Sequence, residues 1–129
     1  MIRPAALALG LALCLPTAAV APVDHCATLL GSLGVELRHA RQAPAGSRGS
    51  FTCPRDLSVL RSATRQRVLA ALGPPDATAS GSEGSAMAWT YAFGPRPWGG
   101  QSRPPGEPEL VFEFDARFDV VQVDCRRRR

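Results

Sequence analysis

Three stretches in the second half of the chain alternate apolar and polar residues with a period of two. That is the spacing of a strand with one face in a core. In residues 87–93, Trp89, Tyr91 and Phe93 share a face. In 109–115, Leu110, Phe112 and Phe114 share one, opposite Glu109, Glu113 and Asp115. In 119–125, Val121, Val123 and Cys125 share one, against Gln122 and Asp124. These predict three half-buried antiparallel strands, and residues 115–119 are short enough for a hairpin turn. The aromatic row reads as core lining rather than as a platform for bases or sugars, because the other two strands offer matching apolar faces.

Upstream the period becomes helical. In residues 24–41, Leu30, Leu33 and Leu37 recur at i, i+3 and i+7. Asp24 suits the start, and Arg38 and Arg41 suit the end. Gly31 and Gly34 weaken that helix. Leu57 and Leu60 predict a short helix after Pro54. Residues 64–72 predict a better one: Thr64 caps it, Val68, Ala71 and Leu72 share a face, and Gly73 with Pro74 and Pro75 stops it. Residues 42–50 read as a linker, 76–86 as a small-residue loop, and 94–108 as a long connection with five prolines. The expected fold is α+β: two short helices packed on a three-stranded antiparallel meander, with an appended N-terminal helix.

The chain has 129 residues, enough for one ordinary domain, and its 45% apolar and 20% charged residues suit a globular protein. The net charge of +4 is local. Arg126, Arg127, Arg128 and Arg129 supply it, and the remaining residues carry 11 Arg against 11 acids. A neutral body argues against a nucleic-acid partner. All the basic residues are Arg, a skew that resembles GC-rich coding more than a functional signal.

Arg3 precedes an eleven-residue apolar run over residues 5–15, followed by small residues. This is the pattern of a secretory signal peptide, too short to span a membrane. Cleavage is expected after Ala19, with Ala21 as the alternative. The residues before Cys14 and Cys26 do not suit lipidation, so a soluble periplasmic or secreted protein is expected. The expected organisation is a leader over 1–19, a helix and linker over 20–50, a domain over 51–125 and a basic tail over 126–129.

Export places Cys26, Cys53 and Cys125 in an oxidising compartment. The expected pair is Cys53 with Cys125, which staples the two ends of the domain; Cys26 with Cys53 is the competing pair. Without a CxxC, and with His25 and His39 the only histidines, no metal site or cofactor is expected.

Catalysis has little support in the pattern. Glu113 and Asp115 point the same way at strand spacing, but a solvated strand face explains them, and Asp115 suits a turn cap. The binding candidates are Trp98 in the proline-rich loop, flanked by Arg96 and Arg103. The Arg tail suits at most a peripheral contact with anionic lipid.

Residues 57–125 also carry an ordered set: Thr64, Val68 and Leu72-Gly73-Pro74-Pro75-Asp76, then Trp89-Thr90-Tyr91, then Leu110, Phe112 and Phe114-Asp115, then Val121 and Val123. This resembles the SmpA/OmlA (BamE-like) family, with an architecture related to that of proteinaceous β-lactamase inhibitors. Arg67 stands where the family's capping box has Glu or Gln, and Ser62-Ala63 replace the usual Gly before the cap. The resemblance implies a non-catalytic envelope protein that works by binding other proteins, in outer-membrane assembly or maintenance. The alternative is a soluble inhibitor or binding module for a periplasmic hydrolase.

Overall fold

Asp24 starts the first helix by accepting the backbone N–H of Ala27 at 3.0 Å, and α1 runs over His25–Gln42. The computed structural model describes residues 22–44, 47, 50–96 and 105–129. The expected leader, residues 1–19, lies outside them. The helix buries Cys26, Leu30, Leu33, Leu37 and Ala40, one stripe at alternating spacings of four and three. Gly34 falls on that stripe for a steric reason: a Cβ there would sit 2.5 Å from the Ala71 carbonyl oxygen. The glycine that weakens the helix locally is what lets it approach its neighbour.

That neighbour is α2, Arg65–Leu72. Thr64 caps it, accepting the N–H of Arg67 at 3.2 Å, and Val68 and Leu72 enter the core. Gly73 ends it at φ 77°, a left-handed value that a side chain disfavours. The Tyr91 hydroxyl donates to the Gly73 carbonyl at 2.8 Å and so ties the helix end to the sheet. The other short helix expected near Leu57 is a 3-10 helix, Ser58–Ser62, which buries Leu60.

The sheet has four antiparallel strands rather than three: β1 Ala77–Ser80, β2 Met87–Ala92, β3 Pro108–Phe114 and β4 Val120–Arg127, in that spatial order. β1 lies in the stretch expected to be a loop. Its four residues are all exposed, so no apolar alternation marks it; pairing to β2 alone defines it. The predicted rows meet in register, with Trp89 opposite Phe112, and Tyr91 opposite Leu110, which in turn faces Cys125. Tyr91, Phe93, Leu110, Phe112 and Phe114 are fully buried, and they share one cluster with the α1 leucines, Val68 and Leu72. The N-terminal helix is therefore half of the helical layer, not an appendage.

Three further expectations are corrected. Val121 is exposed, and Val120 faces inward instead. A bulge lets Phe114 pair with Val120 while Glu113 pairs with Gln122, which shifts the phase of the strand by one residue. Glu109 lies on the outer face as expected, yet it is buried, with Arg126 against it. Finally, Arg126 and Arg127 are not tail: they end β4, opposite Glu109 and Pro108.

Cys53 and Cys125 form a disulfide, with Cα atoms 5.7 Å apart across a separation of 72 residues. It pins the segment ahead of the 3-10 helix to β4. In the same segment Phe51 stacks on Phe93 at 3.8 Å. Cys26 is a free, buried thiol.

Candidate interaction surface

Phe118 is the one non-glycine residue with positive φ, 66°, among the described residues. For a bulky side chain this is an unfavourable backbone region, held only where surrounding contacts over-determine it. They do so here. Asp115 Oδ1 accepts the N–H groups of Arg117 at 2.9 Å and Asp119 at 3.0 Å. The Phe118 N–H donates to the Asp115 carbonyl, and the Asp115 N–H to that of Asp119, both at 3.0 Å. Asp115 thus does the turn-capping work expected of it.

The turn is also bolted to α2. The Phe118 carbonyl accepts the Arg65 N–H at 2.8 Å, satisfying a donor that the helix start leaves open, and the Val120 N–H donates to the Ala63 carbonyl at 3.0 Å. The result is an aromatic ring held outward, 42% exposed, with the Arg65 guanidinium carbon 3.8 Å from its centroid. One turn further along α2, Leu69 is 44% exposed on the same helix face as Arg65. The bulge leaves Val121 exposed three residues past Phe118. Exposed aromatic, Arg and aliphatic groups on a rigid turn suit protein recognition. Phe118 stands outside the apolar periodicity, and the available signal was an aromatic inside an Asp-rich turn sequence, Asp115-Ala116-Arg117-Phe118-Asp119.

Of the binding residues expected from sequence, Arg96 is described, while Trp98 and Arg103 lie outside the described residues. Arg96 pairs with Asp76, whose side chain is only 4% exposed. Arg41 approaches the same carboxylate at 3.4 Å, and its other oxygen accepts the Ala92 N–H at 2.6 Å. The Arg96 N–H also donates to the Arg41 carbonyl at 3.2 Å. Asp76 therefore joins the end of α1, the entry to β1, the end of β2 and one root of the long loop. Burial pushes the neighbouring Tyr91 phenol well up, and the Arg41 charge opposes that shift.

Glu113 and Asp115 hold different parts of the fold, Asp115 the turn before β4 and Glu113 a loop on the other side of β2. Glu113 accepts the Ser82 hydroxyl at 2.6 Å and its N–H at 3.2 Å, with the Ser85 hydroxyl at 3.4 Å, and so holds the loop between β1 and β2. The Ser82 hydroxyl and then its N–H hold the Glu113 carboxyl below its ordinary range, against a small opposing effect of burial. Among the described residues no three His, Cys, Asp or Glu side chains gather as a metal site would require, and no helix is long and apolar enough to cross a membrane. The chain matches no known family model and no curated protein.

Proposed function

We propose that this is an exported, non-catalytic protein of the cell envelope that acts by binding another protein, as its resemblance to the SmpA/OmlA family implies. The observation that carries the reading is Phe118: a ring kept exposed at an unfavourable backbone angle, beneath a guanidinium, on a turn fixed to a helix. The turn's hydrogen bonds hold this angle, and backbone outliers of this kind cluster at functional sites. The Cys53–Cys125 disulfide supports an oxidising compartment such as the periplasm. The α+β layering agrees with the architecture that the resemblance implies. Cross-linking with tagged protein in envelope fractions tests the reading. Capture of an outer-membrane assembly or maintenance component through residues near Phe118 is expected. Capture of nothing, or only through residues distant from Phe118, would contradict it.

A second reading, a soluble inhibitor or binding module for a periplasmic hydrolase, draws on Arg96. Its pairing with Asp76 fixes one root of the loop that bears Trp98 and Arg103. Inhibition of a purified hydrolase, lost in Trp98→Ala, would favour that reading.

A further inference from the structure

The far end of the sheet, where β3 begins and β4 finishes, concentrates the charge of the molecule. The net +4 of the chain resides in Arg126, Arg127, Arg128 and Arg129. Arg126, Arg127 and Arg128 are laddered, not trailing. Arg126 faces Glu109, Arg127 faces Pro108, and the Arg128 N–H donates to the Glu107 carbonyl at 2.9 Å. The Gly106 N–H returns the favour to the Arg128 carbonyl at 2.7 Å. The backbone of Arg126, Arg127 and Arg128 is therefore fixed, and Arg129 follows directly on it.

Glu109, Arg126, Arg127 and Arg129 line an open depression of about 410 Å³. The Glu109 side chain, 7% exposed, accepts Arg126 Nε at 2.9 Å. That contact orients the guanidinium by its inner nitrogen and directs its terminal fork elsewhere. Arg127 is oriented likewise, through Nη1 to the Gly106 carbonyl at 3.0 Å. Of the lining residues three are Arg and one, Glu109, is acidic, which leaves a local charge of +2. Three arginines line one depression, and an anion bound there offsets their positive charge. A phosphate dianion matches the charge and supplies three acceptor oxygens for forked N–H pairs. A carboxylate brings one charge and two oxygens.

We propose that this depression binds a phosphate-bearing ligand, held by Arg126, Arg127 and Arg129, with Glu109 positioning Arg126. The shared chemistry is the phosphate, carried either by a soluble molecule or by a phospholipid headgroup. The site lies on different residues from the Phe118 surface, so its failure leaves the protein-binding reading standing.

The test uses the full chain and two probes: inorganic pyrophosphate in solution, and phosphatidylcholine vesicles containing phosphatidylglycerol. The variant Arg126→Gln/Arg127→Gln/Arg129→Gln is compared with Arg55→Gln/Arg61→Gln/Arg117→Gln, which removes the same charge from exposed positions elsewhere. The proposal expects one probe to bind and its affinity to fall about tenfold or more in the first variant only. Binding of pyrophosphate identifies a soluble ligand, and binding of vesicles alone identifies a headgroup. Arg129→Gln by itself leaves the Glu109 and Gly106 contacts in place, and a partial loss is expected even if the triple variant misfolds. No binding of either probe, equal loss in the two triple variants, or unchanged binding in Arg129→Gln would overturn the proposal.

Discussion

Arg65 lies with its guanidinium carbon 3.8 Å from the centre of the Phe118 ring, and its own backbone N–H donates to the Phe118 carbonyl at 2.8 Å. One residue therefore grips both the ring and the backbone of another whose φ is unfavourable. The pairing couples the start of α2 to the turn between β3 and β4, and it presents an aromatic surface that the core does not use.

Asp76 is the polar hub of the fold. Its carboxylate meets Arg41, Arg96 and the Ala92 N–H with the side chain almost fully buried. Asp76→Asn keeps the shape but leaves two guanidinia without their counter-charge. We expect a loss of about 3 kcal/mol, at the low end for a broken buried pair because both arginines are partly exposed. Urea denaturation measures it, and a loss under about 0.5 kcal/mol, the size of an ordinary surface change, would contradict the role.

Much of this arrangement was legible in the chain. Asp24 and Thr64 marked their helices, Gly73 with its two prolines marked the stop, and the alternation in three strands named the core aromatics. The Cys53–Cys125 pair was expected from their places at the two ends of the domain, over the competing Cys26–Cys53. What escaped had no apolar signature. β1 is four exposed residues defined by backbone pairing alone. The bulge at β4 shifts the phase where the sequence reads a continuous valine alternation. The burial of Glu109 and the laddering of Arg126 arise from partners 17 residues apart. Phe118 escaped because an aromatic in a turn has no period to belong to.

The disulfide closes a separation of 72 residues. On the loop-entropy account it contributes about 4 kcal/mol. Cys53→Ser/Cys125→Ser, or reduction of the native protein, should lower the melting temperature by more than 10 °C, given the roughly 4–8 °C per kcal/mol of a small domain. Thermal unfolding with and without reductant reads this directly, and coincident curves would contradict it.

Acid should release the loop between β1 and β2. The Ser82 contacts hold the folded Glu113 carboxyl below its ordinary value of 4.5. Its contribution is therefore present at neutral pH and is lost as pH falls from that ordinary value through the lower folded one. Ser82→Ala removes the leading cause and should raise the Glu113 pKa. Carboxyl titration by NMR measures the shift, and an unmoved Glu113 would contradict the assignment.

Trp89 sits 8% exposed, edge-on to Phe114 at 5.0 Å. Trp89→Ala should cost about 3–5 kcal/mol in chemical denaturation. A change under about 1 kcal/mol would place the residue outside the core that the sheet orientation requires.

The most direct test of the central claim is quantitative cross-linking from envelope fractions with the native protein and with Phe118→Asn. Asn accepts the left-handed backbone angle, so the turn and the fold persist while the ring is removed. The account predicts a partner captured by the native protein whose recovery falls about tenfold or more in the variant, the scale of an interface anchor. Equal recovery by the two proteins would contradict it.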